Sequence, residues 1–166
     1  MNFVIIGAGP AGVRAAETLR ENDSLATVTL VGAEPGEPYA RMAIPYILSG
    51  AIDDGGARQR RSLDHLQALG IRYLHGKALK VQARPNGGQV ELADGTQLPY
   101  DRLLVATGSS PSLPPIPGTG LPGVVTCWTL EDAHQIAAKL TPGARVVMLG
   151  AGFVAGVCMK LSLIHI

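Results

Sequence analysis

The sequence predicts an α/β protein of the Rossmann type: a parallel sheet with an inserted antiparallel β-meander, followed by the start of a second sheet of the same kind. Three observations carry this. The chain opens with an apolar run that ends in a glycine turn, FVIIGAGPAGV (3–13), and a near copy, VVMLGAGFVAG, stands at 146–156. Each G-A-G turn lies between a strand-like run and a helix-like run, as a parallel βαβ crossover requires. Between the copies are short segments broken by Pro85-Asn86-Gly87-Gly88 and by Asp94-Gly95, which are hairpin signals.

The elements follow in order. Asn2 to Ile6 is apolar after Asn2 and reads as a central strand buried on both faces. A helix is expected from Pro10, with Ala11, Ala15, Ala16 and Leu19 at helical spacing, stopping near Asn22-Asp23-Ser24. Thr27 to Val31 is the second strand. A loop carries EPYARMAIPYILSG (37–50), after which Ser62 to Leu69 reads as helix and Ile71 to Leu74 as strand. Leu79 to Ala83, Gln89 to Ala93 and Thr96 to Tyr100 make the meander, and Leu103 to Ala106 returns to the parallel sheet, ending in Thr107-Gly108. Four prolines within 109–118 exclude helix and central strand and point to an extended crossing. Thr129 with Asp132 opens a capped helix, TLEDAHQIAAKL, that ends before Pro142-Gly143. Arg145 to Leu149 is expected to be another buried strand, leading into Gly150. The domains expected are 1–110, a crossover over 111–128, and the start of a second unit over 129–160.

Composition narrows the function. With 14 basic and 13 acidic residues the net charge is +1, so nothing draws the chain to nucleic acid or to an anionic membrane. Arg58, Arg60 and Arg61 lie in a polar, glycine-rich stretch and read as a solvated loop. Cys127 and Cys158 are too few and too far apart for a disulfide framework, a zinc site or a redox dithiol, and fit reduced thiols in a cytoplasmic protein. No Lys or Arg precedes the first apolar run, so it is not read as a signal peptide. The uncharged run over 146–159 spans 14 residues and holds three glycines, short of a membrane-crossing helix. No metal site is expected.

The first turn, Gly7-Ala8-Gly9-Pro10-Ala11-Gly12, is G-x-G-x-x-G after a strand and at the mouth of a helix. In that pattern the first glycine turns the chain, the second admits a pyrophosphate to the backbone, and the third packs helix on strand. The helix N-terminus then favours the phosphates. Glu34 lies 22 residues past Gly12, at the end of the second strand, where a carboxylate accepts from both hydroxyls of a ribose. The second turn, with Gly150, Gly152 and Ala155, repeats the pattern with alanine in the third slot.

Two such fingerprints, with a meander and an A-T-G strand end between them, resemble the flavin-dependent pyridine-nucleotide reductases. PYARMAIPYILSG, YDRLLVATGSSP and TLEDAHQI followed by VVMLGAGFVAG are similar to the ferredoxin and rubredoxin reductases and to nitrite-reductase large subunits. The resemblance implies that the first turn binds FAD and the second NAD(P)H. Gly9, Ala11 and Gly12 would line the FAD pyrophosphate and Glu34 the adenosine ribose. Arg41 would approach the flavin or its phosphates, Leu79 would meet the adenine through its backbone, and Ala106-Thr107-Gly108 would close over the cofactor. The plain alternatives are a surface Arg41, a core Leu79 and a structural strand end. Two positions depart from the family: Gly50 stands where a lysine is usual, and Trp128 where an arginine is common before T-L-E-D. No cysteine lies in 39–50, so a disulfide-reductase mechanism has no residue to run on.

The resemblance implies hydride transfer from NAD(P)H to FAD and electron delivery to a small iron–sulfur protein, ferredoxin- or rubredoxin-like, or to an attached redox domain. The flavin carries that chemistry, so no catalytic side chain is assigned. The alternative is a nucleotide-binding module without turnover. The chain is expected to be an N-terminal fragment, inactive by itself, because the family continues with the rest of the second unit, a returning FAD segment and an interface domain. The last six residues, LSLIHI (161–166), back-translate to a sequencing-adaptor end and are expected to be non-native.

Overall fold

The structure, a computed structural model, describes residues 1–60, 64–141, 143–150, 152 and 155–157. The elements are β1 (Asn2–Ile6), α1 (Pro10–Asn22), β2 (Thr27–Gly32), α2 (Ile44–Leu48), α3 (His65–Ala68), β3 (Ile71–His75), β4 (Ala78–Arg84), β5 (Gly87–Leu92), β6 (Gln97–Tyr100), β7 (Arg102–Val105) and α4 (Leu130–Lys139). They divide into two units: Met1–Tyr39 with Arg58–Gly108, and Ala40–Ala57 with Ser109–Ile166.

The first unit is three layers thick. Its parallel sheet has the order β3-β2-β1-β7, with Ile5 opposite Leu30 on one side and Leu104 on the other. Alternate residues of a strand face opposite sides, and both sides are covered here. Ile5, Val28, Leu30 and Ile71 pack under α1 through Val13 and Ala16. Val4, Ile6 and Val31 meet Val90, Leu92, Leu98 and Tyr100 of the antiparallel sheet β4-β5-β6. This double cover explains the unbroken apolar run of β1. Each fully buried aliphatic side chain contributes about 1.5–3 kcal/mol.

Two local devices hold the frame. The Asn2 N–H donates to the Asp101 carboxylate at 2.7 Å, and the Asp101 N–H donates to the Asn2 carbonyl at 2.8 Å, which clasps the amino terminus to the start of β7. β4 and β5 join through a two-residue loop, with Arg84 opposite Gly87. β7 lies at the edge of its sheet, and Leu104 and Val105 are exposed.

In the second unit α2 packs on α4. The capping box read from Thr129 and Asp132 is present: the Asp132 N–H donates to the Thr129 hydroxyl at 3.0 Å, and the Thr129 N–H donates back to the carboxylate at 3.1 Å. That carboxylate also accepts from the Trp128 N–H at 2.9 Å and the Thr126 hydroxyl at 3.1 Å. Burial opposes ionisation of Asp132, but these donors outweigh it and hold the carboxyl below its usual range. Residues 109–128 form neither helix nor strand.

Arg145 to Leu149 corrects the sequence reading. It forms no strand, and Val146, Val147, Met148 and Leu149 are exposed, Val147 at 87%. A strand exists only through ladder partners, and among the described residues none lies beside it. Of the helix expected over 62–69, His65–Ala68 is helical, while Ser62 and Leu63 lie outside the described residues.

Candidate functional site

The first glycine turn is built as its spacing requires. Gly7 has φ +112°, a conformation that other residues rarely adopt, and its N–H donates to the Val31 carbonyl at 2.8 Å. A Cβ on Gly7 would stand 2.1 Å from the carbonyl oxygen of Ala106, and one on Gly12 would stand 1.8 Å from the carbonyl oxygen of Gly7. Gly7 and Gly12 therefore serve packing inside the protein. Gly9 does not: its backbone, φ −72° and ψ 179°, suits any residue, and a Cβ there meets nothing within 4 Å. Neither strain nor a neighbour asks for glycine at this position.

The end of α1 faces that open space without a side-chain cap. Gly9 is the N-cap, Pro10 has no N–H, and no acid lies in the first turn. The Val13 N–H closes the first helical bond onto Gly9 at 3.0 Å, so the amides of Ala11 and Gly12 have no partner within the helix. These amides and the helix dipole suit an anion, so the donors here fit a dinucleotide pyrophosphate.

Glu34 stands two residues beyond β2 and is half-buried. Its carboxylate accepts a hydrogen bond from the hydroxyl of buried Tyr39. Burial pushes the nearby Tyr73 hydroxyl up, and the charges of Glu34 and Glu37 push it the same way. Leu79 is 61% exposed, which rules out the core alternative. It sits at a bulge, because the ladder to β5 slips between Ala78 and Lys80, so its backbone is released from regular pairing. Ala106 follows β7 and donates to the Ile6 carbonyl at 2.7 Å, which brings Ala106-Thr107-Gly108 beside the glycine turn.

Several residues around this turn escaped the sequence reading. Arg60 is not part of a solvated loop: its guanidinium grips the Glu17 carboxylate with two bonds of 2.6 Å, and His65 Nε2 lies 2.8 Å from the same group. Glu17, on α1, is only 5% exposed, and the bonds from Arg60 hold its pKa at about 2, with His65 and Arg14 assisting and burial opposing. Arg58 pairs with Glu37 at 3.0 Å, and Arg61 lies outside the described residues. The Gln59 side-chain amide donates to the carbonyls of Ala8 at 3.1 Å and Tyr39 at 3.0 Å. No spacing rule joins residues 17, 39, 59 and 65, which lie on separate segments and meet only in the fold.

In the second unit Arg41 opens a short helical turn, Arg41–Ala43. Its guanidinium lies 5.1 Å from the centre of the Trp128 ring and donates to the Trp128 carbonyl at 2.7 Å. Arg41 is thus tied to the residue that departs from the family's arginine. Gly150 has φ +110°, and the Gly156 N–H donates to the Gly152 carbonyl at 3.0 Å. These repeat the Gly7 conformation and the Val13-to-Gly9 bond of the first turn. Ala155–Val157 are helical, while Ala151, Phe153 and Val154 of this fingerprint and Cys158 lie outside the described residues. Among the described residues no three His, Cys, Asp or Glu side chains gather as for a metal. No helix among them is long and apolar enough to cross a membrane.

Comparison with known proteins places this geometry. The profile of the family described as pyridine nucleotide-disulphide oxidoreductase matches residues 1–159. Rhodocoxin reductase of Rhodococcus erythropolis is 36% identical over 154 residues, covering 93% of this chain and 36% of that protein. Among solved structures, an NAD-dependent persulfide reductase from A. fulgidus matches with a TM-score of 0.87 and 30% identity, over 97% of this chain and 32% of that one. A covalent putidaredoxin reductase–putidaredoxin complex matches with a TM-score of 0.82 and 30% identity, over 96% of this chain and 40% of its match. The fold is that of these two-nucleotide Rossmann-type reductases. The chain spans little more than a third of the length of the curated relatives it matches.

Proposed function

This chain belongs to the pyridine nucleotide-disulphide oxidoreductase family, and from that premise we propose that it is the FAD-holding part of an NAD(P)H-dependent flavoprotein reductase. The observation that carries the reading is Gly9, a glycine that neither backbone nor packing requires, set at the mouth of an uncapped helix. The N–H groups of Ala11 and Gly12 meet the FAD pyrophosphate there, and the missing Cβ of Gly9 lets it approach. Glu34, steadied by the Tyr39 hydroxyl, accepts from the adenosine ribose. The bulged backbone at Leu79 offers its N–H and carbonyl to the adenine, and Ala106-Thr107-Gly108 closes the site. Bound FAD supplies hydride acceptance and the split into single electrons.

Gly150, Gly152 and Ala155 begin the turn that receives NAD(P)H, with 129–160 as the start of that domain, 111–128 as the crossover and 1–110 as the FAD domain. Arg41 serves the flavin or its phosphates. The electron acceptor is a small redox protein of the ferredoxin or rubredoxin kind, or an attached redox domain. Relatives support this, since one is named rhodocoxin reductase and another, from Burkholderia cepacia, is named as a ferredoxin–NAD(+) reductase component. A cytoplasmic setting with reduced thiols goes with the same reading.

The test is FAD binding by the whole protein and its Gly9→Val variant. The wild type is expected to take up stoichiometric flavin. The variant, with a branched side chain where the pyrophosphate must touch backbone, is expected to emerge colourless but folded. A fully loaded Gly9→Val protein would refute the placement.

A further inference from the structure

We infer that Gln59 is a positioning residue for the bound dinucleotide: its one side-chain amide fastens the phosphate-binding turn to the segment that holds the ribose carboxylate. The inference rests on the FAD reading above and adds to it a residue outside any fingerprint. Both protons of the Gln59 amide are used, one on the Ala8 carbonyl at 3.1 Å and one on the Tyr39 carbonyl at 3.0 Å. Ala8 lies between Gly7 and Gly9, inside the turn. Tyr39 carries the hydroxyl that holds Glu34. One amide therefore fixes the spacing between the pyrophosphate and ribose halves of the site.

Gln59 is itself held at two points. Its N–H donates to the Pro38 carbonyl at 3.0 Å, beside the bridge between Tyr39 and Arg58. Its carbonyl accepts from Arg60 at 2.8 Å, and the same guanidinium is locked onto buried Glu17 of α1. The strap thus runs from the helix through Arg60 and Gln59 to the turn. An amide so restrained loses little freedom when it makes its two bonds, which suits it to preorganise a site rather than merely follow it. Chemistry limits what can stand there. Both partners are carbonyl oxygens, so only a donor fits, and a carboxylate of the same size would face two acceptors.

The experiment measures the FAD dissociation constant of the whole apoprotein in high salt, where long-range charge effects are screened, beside the melting temperature without flavin. Gln59→Leu and Gln59→Glu are expected to weaken FAD binding about tenfold or more, which is ~1.4 kcal/mol per decade. Glu is expected to be the worse of the two, and Gln59→Lys, which restores donors, to stay within about threefold of the wild type by the same measure. The flavin-free melting temperatures of folded variants are expected to stay close to the wild type, a split that a purely structural role would not give. Should Gln59→Leu fail to fold, the Glu and Lys variants decide, since equal FAD affinities in those two overturn the inference. Wild-type binding with unchanged affinity in Leu and Glu also overturns it. A wild type that takes up no FAD refutes the parent reading instead.

Discussion

A methyl group added at Gly12 should unsettle the fold, whereas the same methyl at Gly9 should leave the fold intact and cost only the ligand. The Cβ of Gly12→Ala would lie 1.8 Å from the Gly7 carbonyl oxygen and 3.4 Å from Ile5 Cγ2. The first distance is far inside contact, and its partner is backbone in a turn already wedged against Ala106, so α1 must lift from β1. Overpacking of this kind costs typically 1–3 kcal/mol, and backbone against backbone belongs at the upper end, about 3 kcal/mol. For a domain of this size that lowers the melting temperature by roughly 10 °C. Gly9→Ala meets nothing within 4 Å and needs no change of φ or ψ. It should therefore be neutral or stabilising by up to about 1 kcal/mol, through the unfolded chain. Thermal melts of flavin-free protein followed by circular dichroism, with FAD titrations beside them, check both. A Gly12→Ala melt that overlays the wild type, or a Gly9→Ala melt that falls by as much, would show that the roles of the two glycines are misassigned.

Two further outcomes concern carboxylates. Arg60 holds Glu17 at a pKa of about 2 against an ordinary 4.5, so its stabilisation is complete above pH 4.5 and is lost as pH falls from there toward 2. The shift corresponds to about 3 kcal/mol, which we discount to about 1–2 because Arg60 is 38% exposed. Glu17→Gln should then lower stability at neutral pH by that amount and flatten the acid limb, read by urea melts across this range. Glu34→Ala removes up to two charge-assisted bonds to ribose, on the order of 1.5–3 kcal/mol each. FAD affinity should fall at least tenfold in apoprotein titrations while the fold persists, and an unchanged affinity would move the ribose elsewhere.

The elements that were legible carry local signals. The run over Asn2–Ile6, Pro10 at the helix start, Asp94-Gly95 and the Thr129–Asp132 pair each act within a few residues, and each appears where the spacing places it. Glycines could be recognised by position, but only the structure separates Gly12, which packs, from Gly9, which opens outward. The Arg60–Glu17–His65 cluster was hidden because its members lie 43 and 48 residues apart on elements of different kinds. Its arginine looked solvated for the same reason: polarity in sequence does not reveal a buried partner. Arg145 to Leu149 misled in the opposite direction, since an apolar run states a preference for burial that only neighbours can satisfy.

The order of the parallel sheet sets a timetable for folding. β1 precedes the other strands of its sheet in the chain, yet it occupies the interior, between β2 and β7. Its pairing with β2 closes a short loop, but Phe3 finds Arg102, and Asn2 finds Asp101, only after about a hundred further residues exist. At ~5–20 residues per second, translation leaves Val4 and Ile5 with one open flank for roughly 5–20 s. The late partner is also the slow one, because long-range parallel pairing carries the largest closure entropy before any contact offsets it. During that interval the most apolar strand of the domain is held by its helix and one neighbour, so it is the segment most in need of shielding from other nascent chains.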